Sequence, residues 1–233
     1  MAILVRTWNL FHGNSAPTER RGHLPAMVEL VSADKPGIVC LQEVPVWALR
    51  HLEAWSGMRA FGAIAASPRG SAELGRWITE LHHGLLRSAV TGQANAILVA
   101  PGLDAREEGT LVISESGERR VCQAVRVSGL GVVGNFHATG GRPADEQCWR
   151  AVDFVAGADE QALLAGDTNL RPGDGRIYAR LKSLGFSEPL PGSIDQIVVR
   201  GLAATPPTAW PAERRRIRGR LLSDHAPVEL TVG

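Results

Sequence analysis

Residues 162–169 read ALLAGDTN: five small or apolar residues that stop at an acid, a threonine and an amide. A short apolar run closed by turn-forming residues reads as a buried strand. Asp167 and Asn169 are therefore expected where a strand emerges at the edge of its sheet. The same punctuation recurs at Trp8-Asn9-Leu10, Leu41-Gln42-Glu43, Asn135-Phe136-His137, Ile194-Asp195-Gln196-Ile197 and Ser223-Asp224-His225. One such polar residue is ordinarily a turn former or a helix cap. Six from separate strands can converge into a single site when the strand ends share one edge.

Around these strand ends, helices and strands alternate along both halves of the chain. Thr18 is a candidate N-cap for a helix with Leu24, Met27, Val28, Leu30 and Val31 on one face, ending before Pro36. Pro45 opens a second helix that Gly57 stops, and the stretch 62–92 is read only as a helix over Ser71–His82 followed by a loop. Strands are expected at Ile3–Trp8, Gly37–Leu41, Ala94–Ala100, Gly109–Glu115, Arg119–Val127 and Gly131–His137. A helix over Asp145–Val155, the strand Ala162–Gly166, a short helix near Arg176–Leu184 and strands at Ser193–Val199 and Pro227–Val232 complete the pass. Hairpin-length turns in the middle suit a layered α/β protein with antiparallel or mixed sheets better than a doubly wound parallel one. One domain over residues 1–233 is expected, since a chain of this length can build one large core.

Charge is balanced, with 25 Lys plus Arg against 24 Asp plus Glu, so there is no long-range field to draw in nucleic acid or anionic lipid. Basic surface must be local. Arg214, Arg215, Arg216, Arg218 and Arg220 form the one cluster, which reads equally as a solvated loop and as a phosphate-binding patch. Trp210 beside them is the tryptophan expected to be exposed, where it could stack on a base or cover a ligand; the others are expected in or near the core. Three widely spaced cysteines, Cys40, Cys122 and Cys148, show no metal or redox pattern. Arg6 interrupts the short apolar N-terminal run, so a cytoplasmic location without stable membrane association is expected.

The chemistry of the strand-end residues is coherent. Glu43, Asp167, Asp195 and Asp224 supply hard oxygen ligands, Asn9 and Asn169 supply amides, and His137 and His225 can move protons near neutral pH. Carboxylates without clustered cysteines or a HExxH pair favour Mg2+ or Mn2+ over structural zinc. A hard dication can neutralise phosphoryl charge while a carboxylate or imidazole orients water, so phosphate-ester hydrolysis is the natural reaction class.

As an ordered set, TWN, LQE, NFH, GDTN, IDQI and SDH resemble the motifs of the endonuclease/exonuclease/phosphatase superfamily, with GQANAILV similar to its central strand. The resemblance covers essentially the whole chain. It implies a four-layer α/β/β/α sandwich, two packed mixed β-sheets flanked by helices. It implies Glu43 as the principal Mg2+ or Mn2+ ligand, with Asn9 in the same shell and Asp224 completing it. Asp167 would orient or deprotonate the attacking water, and Asn169 would hold that water or a phosphate oxygen. His225 would donate to a non-bridging oxygen with Asp195 fixing its tautomer, and His137 would contact the scissile phosphate or protonate the leaving oxygen. Asn135, Trp210 and Arg214 are expected at the substrate. The expected partner is a phosphate ester, DNA or RNA first, a small-molecule or lipid ester second, and a non-catalytic phosphate-binding module is the alternative. In relatives a carboxylate often orients the acid histidine; here Glu73 and Glu80 are the nearby candidates, and neither is assigned. His12, His23, His51, His82 and His83 carry no motif, although His12 follows Asn9 closely.

Overall fold

A computed structural model of the chain describes residues 2–19, 22–68, 77 and 91–233. It begins with β1 (Ile3–Asn9), β2 (Ser15–Ala16), α1 (Leu24–Ser32), β3 (Ile38–Val44), α2 (Leu52–Ser56) and β4 (Arg59–Ala66). Four strands follow: β5 (Gln93–Val99), β6 (Ala105–Val112), β7 (Val121–Val127) and β8 (Gly131–His137). Next come α3 (Ala144–Ala158), β9 (Ala162–Asp167), α4 (Ile177–Ser183) and β10 (Asp195–Arg200). The chain closes with β11 (Thr208–Ala209), β12 (Arg216–Ile217), β13 (Arg220–Leu222) and β14 (Val228–Val232).

The strands form two main mixed sheets, ordered β11-β14-β1-β3-β5-β4 and β10-β9-β8-β7-β6. Within them β1 runs parallel to β3 and β8 parallel to β9, and the other pairings are antiparallel. Alternation along the strands builds the layers. Ile38 and Cys40 of β3, Ile97 and Val99 of β5, and Leu163 and Ala165 of β9 share the cluster between the sheets. Their neighbours point outward: Val39, Leu41, Ala96 and Leu98 pack with Met27, Val31 and Leu52 of α1 and α2. On the other side Ala162 and Leu164 pack with Cys148, Val152, Ile177 and Leu181 of α3 and α4. The expected four-layer architecture is present.

Three local expectations are corrected. The first helix starts at Leu24, with Pro25 in its first turn and His23 rather than Thr18 at its N-cap. The segment after Pro45 begins as a 3-10 turn over Val46–His51 before α2, which ends at left-handed Gly57 (φ 67°). In the stretch that the sequence left unread, β4 pairs along the edge of β5. The helix expected over Ser71–His82, with Glu73 and Glu80, lies outside the described residues except for Trp77, which is exposed.

Trp210 and Arg214 are also corrected. Trp210 is 4% exposed, not a free stacking surface; its indole Nε1 donates to Glu229 (2.8 Å) and its ring lies under the Arg6 and Arg214 guanidinium groups at 4.8 and 3.7 Å. Arg214 donates to Glu229 (2.8 Å) and Asp34 (3.2 Å). The cause is Arg6, fully buried on β1, whose charge gathers Glu229 (2.8 Å) and Asp34 around it and donates to the Val31 carbonyl (2.8 Å). Removing a partner leaves a buried cation short of compensation, which costs about 3 kcal/mol. Glu229→Ala should therefore lower stability by about that amount in urea unfolding at pH 7. The Arg6 hydrogen bond holds the Asp34 carboxyl below its usual range. Burial raises Glu229, but hydrogen bonds from Trp210, Arg6 and Arg214 outweigh it and lower its pKa. Depressed carboxylates stabilise above their unfolded range and lose that contribution as pH falls through the folded values. The variant should lose less stability on acidification than the wild type.

Candidate active site

Strand register alone gathers the polar ends. In the second sheet His137 sits opposite Asp167, and Asp167 opposite Asp195. In the first, Asn9 sits opposite Gln42, and a register shift between Leu41 and Val44 releases Glu43 from the regular pairing. Glu43 there adopts φ 53°, and such a bulge re-aims a side chain. Among the described residues, seven non-glycine residues have positive φ, and five of them (Phe11, His12, Glu43, Asn169 and Ser223) flank this edge. Each left-handed residue costs of order 1–3 kcal/mol, sustained only where the surroundings over-determine it. Here they do: Ser223 Oγ donates to the Asn9 carbonyl (2.7 Å) and accepts from the His225 amide (3.0 Å). The Asn169 amide donates to Asp167 Oδ1 (2.9 Å). Arg215 Nη1 donates to the carbonyls of Leu222 (2.9 Å), Ser223 (2.7 Å) and His225 (3.0 Å), and the Trp8 indole to that of His225 (3.0 Å), pinning the loop from outside.

The charges are arranged in two groups. Asp167 and Asp195, both nearly fully buried, share a corner with His225, and one ligating atom from each lies within 4.8 Å of the others. His225 Nδ1 donates to Asp195 (2.9 Å) and is 3.7 Å from Asp167. Burial lowers its pKa, but the hydrogen bond and charge of Asp195 and the charge of Asp167 outweigh it, raising it to about 9. Imidazolium is thus its resting form at neutral pH. Burial, reinforced by Asp195, pushes the Asp167 carboxyl up, against the pull of His225 and the Asn9 amide. The second group is Glu43, whose Oε1 accepts from Asn9 Nδ2 (3.3 Å) and whose Oε2 lies 3.3 Å from His12 Nε2. Burial pushes Glu43 up, but His12, first among the surrounding imidazoles, and the Asn9 amide more than offset this, and it titrates below its usual range.

His137 bridges the two groups, its Nε2 lying 3.4 Å from Asp167 and 3.9 Å from Glu43. Its Nδ1 faces donors, Arg120 Nη1 at 2.9 Å and Gln93 Nε2 at 3.1 Å. Burial, then the Arg120 charge, pushes its pKa down to about 3, so the ring is neutral. A neutral ring can donate a hydrogen bond to a phosphate oxygen, which is the contact expected of His137.

Of the residues singled out in the sequence, Asn9, Glu43, His137, Asp167, Asn169, Asp195, Asp224 and His225 come to this edge. Asp224 is on the rim, half-exposed and 3.9 Å from His225. Asn9 presents its NH2 to Glu43 and Asp167 (3.0 Å), while its oxygen accepts from the Phe11 amide (2.9 Å). It thus holds the two carboxylates, and its oxygen keeps a second lone pair beside the bond from Phe11. Asn169 donates to the Ala138 carbonyl (2.7 Å). Asn135 does not reach substrate space: fully buried, it donates to the Leu41 (3.0 Å) and Ala96 (2.9 Å) carbonyls and accepts from Gln42 (2.7 Å), tying one sheet to the other. An amide inside a dry interface is tolerated only when satisfied in this way. Sequence reasoning gave no site role to His12, Gln93, Arg120 or Arg215; His12 had the signal of its closeness to Asn9, Gln93 lay in the GQANAILV run and Arg215 in the arginine cluster, whereas Arg120 had none.

The family model for the endonuclease/exonuclease/phosphatase family matches residues 7–225. A sequence search of curated proteins returns no match. Among solved structures, a functionally unknown conserved protein from Enterococcus faecalis is similar with a TM-score of 0.74 at 17% identity, over 99% of each chain. A mannosyl-6-phosphatase from Bacteroides thetaiotaomicron is similar with a TM-score of 0.70 at 17% identity, also over 99% of each chain. TDP2 from Caenorhabditis elegans is similar with a TM-score of 0.62 at 21% identity, over all of this chain and 74% of that one.

Proposed function

The chain belongs to the endonuclease/exonuclease/phosphatase family, and from that premise we propose that it is a divalent-metal-dependent hydrolase of phosphate esters, with a phosphodiester such as DNA or RNA as the first substrate class. The observation that carries this reading is the convergence of Asp167, Asp195 and His225 beside His137 and Glu43 at one sheet edge. Glu43 is a partly buried carboxylate whose partners are an amide and imidazoles, with no arginine or lysine against it among the described residues. Such a group fits a hard dication, Mg2+ or Mn2+, held by Glu43 with Asp224 on the rim. When bound, the metal supplies positive charge for the phosphoryl oxygens.

The chain's own groups supply the rest. Asp167, oriented by the Asn169 backbone amide and the Asn9 side-chain amide, takes the proton of the attacking water as the water oxygen closes on phosphorus. The P–O bond to the leaving group breaks, and the leaving oxygen takes up a proton from solvent. The raised pKa of Asp167 suits it to that role. The His225 imidazolium, held through Nδ1 by Asp195, turns Nε2–H toward a non-bridging oxygen as charge develops there, and His137 offers a second donor.

A second reading, a small phosphomonoester, is favoured by what became of the arginine cluster. Arg214 is paired, Arg215 is committed to backbone carbonyls, Arg216 bonds Gly219 (3.1 Å) and Arg220 lies 3.3 Å from Glu19. Arg214 and Arg215 are thereby withdrawn from any polynucleotide backbone, which leaves Arg216, Arg218 and Arg220 as the remaining exposed charges of the cluster. The mannosyl-6-phosphatase likeness makes sugar phosphates worth including. The test is turnover of single-stranded and duplex DNA, abasic duplex, RNA, inositol phosphates, mannose 6-phosphate and bis(p-nitrophenyl) phosphate with Mg2+ or Mn2+. Chelator should abolish turnover and re-added metal restore it. A folded protein that binds phosphate but turns over nothing with either metal would replace the hydrolase reading with the binding-module one.

A further inference from the structure

Among the described residues no carboxylate meets His137 Nδ1, and the group there is a cation. Arg120 precedes β7 and is 7% exposed. Its guanidinium is fixed on every side: Nη2 to Glu118 (2.9 Å), Nε to Thr139 Oγ1 (3.3 Å), Nη1 to Gln93 Oε1 (3.2 Å) and to His137 Nδ1 (2.9 Å). Its backbone amide donates to Ser114 Oγ (2.9 Å). With the Gln93 oxygen committed to Arg120, the Gln93 NH2 necessarily faces the same ring nitrogen (3.1 Å).

Guanidinium can only donate. A ring nitrogen facing two donors must offer its lone pair, so in the neutral ring the hydrogen sits on Nε2. A carboxylate at the same place would draw the hydrogen to Nδ1 and leave Nε2 as the lone pair, the opposite arrangement. Nε2 faces the carboxylates of Asp167 (3.4 Å) and Glu43 (3.9 Å). The Asn169 NH2 also lies 3.3 Å from it, but that group already donates to the Ala138 carbonyl (2.7 Å), whereas both donors at Nδ1 are closer, at 2.9 and 3.1 Å.

We propose that Arg120, seconded by Gln93, is a positioning residue that fixes His137 with its Nε2–H directed into the site, so that His137 offers the phosphate a permanent hydrogen-bond donor. This rests on the phosphoesterase reading for its consequence, though not for its geometry. The donor is pre-aimed and needs no proton transfer between turnovers, which is the kind of fixed dipole that stabilises developing charge without reorganisation. Glu118 and Thr139 hold the guanidinium in plane, and Thr139 is itself held by Gln147 (2.7 Å).

The experiment pairs long-range 1H–15N spectra of 15N-histidine-labelled protein with steady-state kinetics on the best ester of the panel. The wild type should show His137 protonated at Nε2 and bare at Nδ1. Arg120→Met should shift the ring toward the other tautomer and lower kcat about 10- to 100-fold, with KM within about twofold. Arg120→Lys, which also only donates, should recover the wild-type tautomer and much of kcat. If Arg120→Met fails to fold, Arg120→Gln serves, because its amide oxygen can accept from Nδ1–H. An unchanged tautomer in the Met or Gln variant, or a Lys variant as slow as Met with the same thermal midpoint, would overturn the proposal. A wild type that turns over no ester would remove the phosphoesterase reading alone, and the spectra would still decide the role of Arg120.

Discussion

Asp167→Asn should lower turnover about a thousandfold, within the range ascribed to a general base, and at pH 8 should leave the protein at least as stable as the wild type. The first effect follows because Asn cannot take a proton from the attacking water. The second follows from burial: Asp167 is 1% exposed, sits opposite Asp195, and has its pKa raised above the unfolded value. An acid with a raised folded pKa contributes most below the unfolded value, and that contribution is lost as pH rises through the folded one. The ionised form therefore strains the fold at alkaline pH, and the amide removes that strain. A partial offset is expected because Asn9 and Asn169 both donate to Asp167, so one amide edge will meet a donor. The advantage should shrink toward pH 5, where the wild-type carboxyl is itself protonated. Thermal midpoints across pH 5–8 beside kcat for both proteins test this. A variant much less stable than the wild type at pH 8 would make Asp167 a structural residue first.

Loss of His225 should act in the opposite sense on stability. His225→Ala is expected to lower kcat about a hundredfold or more and to cost about 3 kcal/mol, because two buried carboxylates lose their cation. The folded pKa of His225 is raised, to about 9, so its contribution is complete below the ordinary imidazole range and fades as pH rises through about 9. The wild type should lose stability over that window, whereas the variant should lose less. The double variant Asp195→Asn/His225→Ala should recover part of that stability without activity, since one of the two buried carboxylates is neutralised but the donor is not replaced. Urea unfolding from pH 6 to 10, with kinetics at pH 7, distinguishes the two effects. Full activity in the single variant would place the catalytic donor elsewhere, with His137 the first alternative. Stability and function thus diverge at one corner: the arrangement that prepares Asp167 to accept a proton is the one that burial disfavours.

The strand ends were legible in the sequence because apolar runs and the residues that stop them are local signals. GVVGNFH and ALLAGDTN announce both a buried strand and the polar residue that ends it, and β8 and β9 lie within one residue of where those runs place them. The apolar runs in β3, β5 and β9 are unbroken because both of their faces are covered, one by the opposite sheet and one by helices. Whether a polar residue faces the site, however, depends on register between distant segments. Asn135 and His137 are two residues apart and on the same face of β8. One is enclosed between the sheets and the other reaches the edge. Trp210 and Arg214 were misplaced because their partners, Arg6, Asp34 and Glu229, come from segments far away in the chain. Arg120 carried no motif, since its meaning lies in the lone pair of a ring 17 residues away that only the β7–β8 pairing brings within reach. The sequence by itself determined which side chains stand at strand ends; the tertiary structure alone decided their partners, and with them which are charged, which are neutral and which way each hydrogen points, because those properties depend on burial and on neighbours from other segments.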